Sequence, residues 1–152
     1  TGVRTALDAM RLPFDKQKKT TLEDDLKLAS KLIKAGDDHA KAMRGVVAWL
    51  KITAQVGWLL QYEQYEIGVT RLSSSSTMHN ELKGLSGDEL AEQKQIDLMD
   101  KRYTLVDMIS YQTLRRIYKA RRKHKHPDWQ IFCDFIERLP FFKQLIYPEG
   151  RG

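Results

Sequence analysis

Cysteine is nearly missing from this chain: Cys133 stands alone among 152 residues. An intrachain disulfide and the usual thiolate zinc cages are therefore excluded. No apolar run is long enough to span a bilayer, and nothing resembles a signal peptide. We therefore expect a soluble, intracellular protein. The four histidines, His39, His79, His124 and His126, show no HExxH or comparable spacing, so no metal site is expected. A GxSxG elbow and a Walker loop are also missing. The acid pairs Asp24–Asp25 and Asp37–Asp38 fall at helix ends and need no catalytic explanation. No catalytic residue is assigned.

The chain is long enough for one domain with a real core and too short for two ordinary ones, so a single domain over residues 1–152 is expected. Its charge is uneven. Residues 101–152 carry twelve Lys and Arg against five Asp and Glu, a balance of +7, whereas the first hundred residues total −1. Such asymmetry suits an anionic partner such as a nucleotide, a nucleic acid or another phosphorylated ligand, and is also compatible with solubility alone.

Residue patterning predicts a mixed, mostly helical α+β chain. Residues 21–35 read as an amphipathic helix with Leu22, Leu26, Ala29 and Ile33 on one stripe, a capping pair at Thr21 and Asp24, and Gly36 as terminator. Residues 46–53 read as a strand with both faces buried, a buried helix being the competing assignment. Trp58, Leu59, Tyr62 and Tyr65 share a helical spacing over residues 55–65, and Gly68 breaks the chain after them. Core packing explains that stripe better than an aromatic cage. Beyond a turn at 83–87 come a polar helix at 88–100, a second strand at 103–109 and a helix capped by Ser110. His126, Pro127 and Asp128 introduce a last helix with Trp129, Phe132, Cys133, Ile136 and Leu139 on one side and Pro140 as its stop. Cys133 lies within that stripe and reads as a small core residue.

Two features carry functional meaning. Ser73, Ser74, Ser75, Ser76 and Thr77, followed by Met78 and His79, form a hydroxyl-rich loop that can seat a phosphate or can be a solvated linker. On the Ser110-capped helix, Leu114, Ile117 and Tyr118 mark the apolar face, while Arg115, Arg116, Lys119, Arg122 and Lys123 point elsewhere. At 100 degrees per residue Arg121 falls on the apolar side. Its guanidinium can pair with a buried carboxylate, snorkel past the apolar face, or capture a phosphate or base oxygen in a bidentate grip. The run from Arg121 to His126 can contact nucleic-acid phosphates or form a solvated face.

Taken in order, the strand ending at Ile52 and Thr53, the helix through Gln61, the serine loop, the strand before Ser110 and the Arg121 helix resemble the core of flavin-dependent thymidylate synthases. Ser76, Thr77, Met78 and His79 fall where that family has Ser-x-Arg-Tyr, keeping the serine. Ala120 and Arg121, then Trp129 and Ile131, look similar to its Leu-Arg pair and the segment after it. The likeness covers roughly residues 46–79 and 103–136. Where the family has Arg-His-Arg, this chain has Gln61, Glu63, Gln64, Tyr65 and Glu66. The resemblance implies a small antiparallel sheet among helices, an FAD cofactor, deoxyuridine monophosphate as substrate with a folate methylene donor and a nicotinamide reductant, and a homo-oligomer. On this chain it points to Ser73–Ser76, Thr77, His79 and Arg121 at a phosphate, with Gln61 and Tyr65 near a base or flavin. Phrases such as Ser76 to His79 and Ala120 to Lys125 also resemble proteins encoded by phages and prophages of bacteria, which implies the cytoplasm of a bacterial host.

Overall fold

The computed structural model describes residues 1–14, 20–75, 86–100 and 102–150. In chain order these form α1 (Val3–Arg11), a 3-10 turn (Leu12–Phe14), α2 (Leu22–Ala35), a second 3-10 turn (Lys41–Gly45), β1 (Val47–Gln55) and α3 (Val56–Tyr62). β2 (Val69–Ser74), α4 (Gly87–Asp100), β3 (Arg102–Ser110), α5 (Tyr111–Arg121), α6 (Pro127–Glu137) and a π-helical turn (Phe142–Ile146) follow. The strands make one antiparallel sheet in the order β1-β3-β2, so the fold is α+β and mostly helical. Two compact units divide the chain, one of Thr1–Ala48 with Ile109–Gly152 and one of Trp49–Met108.

Helix capping shapes the first unit. Thr21 Oγ accepts the Asp24 N–H at 3.2 Å and donates to the Asp24 carboxylate, and Glu23, Asp24 and Asp25 place negative charge where the helix dipole favours it. Gly36, at φ 120°, then ends α2 in a conformation that a side chain would disfavour. Ser110 Oγ accepts the Thr113 N–H at the start of α5, and His126 Nδ1 does the same for Asp128 at the start of α6. α5 packs against α6, the Lys41–Gly45 turn and the π-helical turn, which in turn packs on α2. The core so formed includes Leu7, Ile33, Met43, Leu114, Ile117, Trp129, Cys133, Ile136, Leu145 and Ile146. Burial pushes the Cys133 thiol up to about 11, so it is a core residue protonated at neutral pH.

Asp25 is buried in the same unit and is held by Arg11 Nε at 2.5 Å and Thr20 Oγ at 2.8 Å. Burial raises its carboxyl, but those hydrogen bonds and the charges of Arg11 and Arg4 outweigh it, leaving the group below the usual carboxylate range. Arg115 of α5 is turned inward, which corrects the expectation that it points away from the core. Only 7% exposed, Arg115 forks onto both carboxylate oxygens of Glu149 and donates to Ile146 O at 3.0 Å. The reason is that α5 is enclosed on nearly all sides over its first two turns, where Tyr111 to Arg115, Ile117 and Tyr118 are all buried. A single apolar stripe underestimates that arc.

In the second unit β1 alternates: Leu50, Ile52 and Ala54 are buried, whereas Trp49, Lys51, Thr53 and Gln55 are exposed. The expectation that both faces are buried is thereby corrected, Trp49 being 54% exposed. One covered and one open face is the normal state of an antiparallel sheet. Thr53 and Thr104 face each other across β1 and β3, their hydroxyls 2.8 Å apart. α3 buries Trp58, Leu59 and Tyr62, with the Trp58 and Tyr62 rings stacked at 5.4 Å, and Tyr65 lies just beyond its end.

Candidate functional site

Asp107 breaks the apolar pattern of β3, and its side chain is 0% exposed. A carboxylate so far from water requires partners. Tyr62 donates its hydroxyl to Asp107 Oδ2 at 2.8 Å, and Arg71 donates Nε to Oδ1 at 2.6 Å and Nη2 to Oδ2 at 3.3 Å. Arg71 Nη2 also reaches Glu63 Oε1 at 2.6 Å. α3 thus supplies the phenol, the turn after it the second carboxylate, β2 the arginine and β3 the buried acid.

The electrostatics follow from that arrangement. Burial first, then the hydrogen bond to Asp107, pushes the Tyr62 phenol far above its usual range, so it remains a donor. The hydrogen bond to Asp107 likewise raises Arg71, fixing its positive charge. Arg71 is nonetheless 37% exposed and Glu63 47%. One edge of the guanidinium is buried and committed, while the other meets solvent. The group can hold an anion.

The segment 73–79 begins as a strand and not as a loop, which corrects its first part: Ser73 and Ser74 close β2, and Ser75 donates its N–H to Thr104 O at 2.7 Å. Ser75 Oγ in turn accepts the Thr104 N–H at 3.1 Å. Edge pairing with β3 extends the ladder past the point where composition suggests a break. Ser73, Ser74 and Ser75 are exposed, and Ser76, Thr77 and His79 lie outside the described residues. Side chains two residues apart on a strand share a face, so Ser73 projects to the same side as Arg71. Gln61 lies at the end of α3 and Tyr65 just after it, in this unit.

Arg121 belongs to the other unit, where its guanidinium lies over the Trp129 ring at 4.6 Å from the centroid. A cation on an indole face gains from the ring quadrupole. Neighbouring arginines are also engaged, Arg116 with Asp37 at 3.1 Å and Arg122 with Asp134 at 2.7 Å. Among the described residues, that unit has an open cleft of about 520 Å³ along α2 and another of about 460 Å³ beside Tyr118, Phe142 and Tyr147, and Arg121 is in the lining of neither.

Sequence reasoning missed Arg71, Asp107 and Glu63 as a group. A signal existed for one of them, because Asp107 occupies an inward position of an otherwise apolar alternation. Its partners are 45 and 36 residues away in the chain, beyond the reach of local spacing.

No family model matches the sequence, and no curated protein matches it. Among solved structures, the chain is similar to the flavin-dependent thymidylate synthase of Helicobacter pylori, a structure complexed with FAD and dUMP. The TM-score is 0.73 at 13% identity, over 98% of this chain and 95% of that one. The chain therefore has the fold of flavin-dependent thymidylate synthases, over far more of its length than the segments that carry the sequence resemblance.

Proposed function

We propose that this chain is a phage-type nucleotide-binding protein on a flavin-dependent thymidylate synthase scaffold, taking the phosphate of a deoxynucleotide or of a flavin such as FAD. The observation that carries the reading is a fold shared over nearly the whole chain with a protein that holds FAD and dUMP. The exposed serines that close β2 support it, since hydroxyls and a strand edge are donors for phosphate oxygens. In this reading Ser73 to Ser76, Thr77 and His79 form the phosphate seat, with Gln61 and Tyr65 toward the base or flavin, whereas Arg121 lies in the other unit against Trp129. The protein acts as a homo-oligomer in the cytoplasm of a bacterial host.

The acidic residue beside Arg71 disfavours turnover of the family's reaction. Glu63 and its neighbours replace the family's Arg-His-Arg signature, and Glu63 takes positive charge from Arg71 instead of adding any. Ligand phosphates meet less compensation there. If the chain is an enzyme, its reaction is methylation of deoxyuridine monophosphate or a diverged relative of it. Binding of nucleic acid through the basic last third draws less support, because Arg115, Arg116 and Arg122 are already paired with carboxylates.

A thermal-shift screen against FAD, deoxynucleotides and short oligonucleotides tests the proposal, because a ligand that binds the native state raises its melting temperature by mass action. We expect a shift with dUMP or FAD that survives added salt. A shift with oligonucleotides alone, collapsing steeply as salt rises, would move the assignment to nucleic acid.

A further inference from the structure

We infer that Arg71 is the anion-binding cation of the β2 site and that Glu63 is its built-in competitor, a carboxylate occupying the edge of the guanidinium that a ligand phosphate takes. The inference rests on the reading that the serine segment seats a phosphate, and it assigns two residues which that reading does not use.

Arg71 has two unlike edges. Nε and part of Nη2 face Asp107, a fully buried carboxylate that also holds the Tyr62 hydroxyl. Removing Arg71 would strand that charge, so this edge is structural and fixes the guanidinium plane. The second edge faces Glu63, and both of those side chains are more than a third exposed. Exposed ion pairs of this kind are weak, because water and salt screen them and two side chains must be held still. The buried contact anchors the arginine, and the exposed one can be exchanged.

A phosphate monoester is suited to make that exchange. It carries close to two negative charges at neutral pH against one on Glu63, and its oxygens accept a guanidinium fork as a carboxylate does. Ser73 stands on the same side of β2, two residues from Arg71, and offers a hydroxyl to the same anion. Ser75 Oγ accepts the Thr104 N–H, which leaves its own proton available for donation. Glu63 therefore sets a threshold: weak anions do not displace it, and a phosphate supported by the serines does.

The sign of one substitution tests this. Removing a carboxylate ordinarily has little effect on a distant ligand, but Glu63→Gln should tighten dUMP here by about threefold to tenfold at low ionic strength, a gain that shrinks as salt rises. Deoxyuridine, which has no phosphate, should show no gain. Arg71→Lys in the Glu63→Gln background keeps a positive charge beside Asp107, so folding is retained, and it should abolish the gain because an ammonium lacks the fork. A melting curve on each variant separates lost binding from lost structure. Equal or weaker dUMP affinity in Glu63→Gln, with measurable binding by the parent protein, overturns the competitor role and leaves the proposed function standing. Failure of both proteins to bind dUMP or FAD removes the proposed function, and the competitor role with it.

Discussion

Arg115 and Arg71 each neutralise a carboxylate, and they do it in opposite ways. Arg115 is buried, forks onto Glu149, and gives a further hydrogen to the Ile146 carbonyl. Arg71 has one edge on buried Asp107 and the other shared with exposed Glu63. The first arrangement is closed and structural. The second leaves a cation at the surface beside a row of hydroxyls, which is where a ligand can gain from it. Burial on all sides, not the presence of an arginine, separates a structural cation from a binding one.

The largest expected effect comes from breaking the closed arginine. Arg115→Met should destabilise the protein by about 2–4 kcal/mol, measured by denaturant unfolding, because Glu149 and a buried carbonyl lose their donor together. Adding Glu149→Leu should recover part of the loss. A Met variant as stable as the parent would erase the contrast between the two arginines.

Acid unfolding sharpens the same contrast with a smaller effect. Hydrogen bonding from Arg115 holds the Glu149 carboxyl below its usual range, and Arg11 and Thr20 do so for Asp25 against the opposing effect of burial. A carboxylate whose folded pKa is depressed contributes stability that is complete above the ordinary carboxylate range, about pH 4, and is lost as pH falls through the lower folded value. Stability should therefore decline below about pH 4–5. The Arg115→Met variant should decline less steeply, its Glu149 no longer being depressed. Equal slopes in the two proteins would contradict the pairing. Least affected should be Glu63→Gln, whose melting temperature should remain close to that of the parent even though its ligand affinity changes.

Much of the scaffold was legible because its causes are local. The cap at Thr21, the cap at Ser110 and the Pro127 start are each set by residues within one helical turn, and the structure has all three. Errors arose where the cause is distant. Periodicity marked Arg115 as outward, whereas packing of α6 and two turns around α5 buries it. The serines read as a loop by composition, yet pairing with Thr104 extends strand order to Ser75. The candidate site was half legible for the same reason, since serines are visible as a run but the Tyr62–Asp107–Arg71 network closes only when β2 and β3 pair.

The most direct test of the account is backbone chemical-shift mapping with dUMP. The account predicts saturable shifts concentrated on Glu63, Arg71 and Ser73–Ser75, which deoxyuridine fails to reproduce. Shifts confined instead to the basic residues from Arg121 to Lys125, with the amides of β2 unmoved, would contradict it.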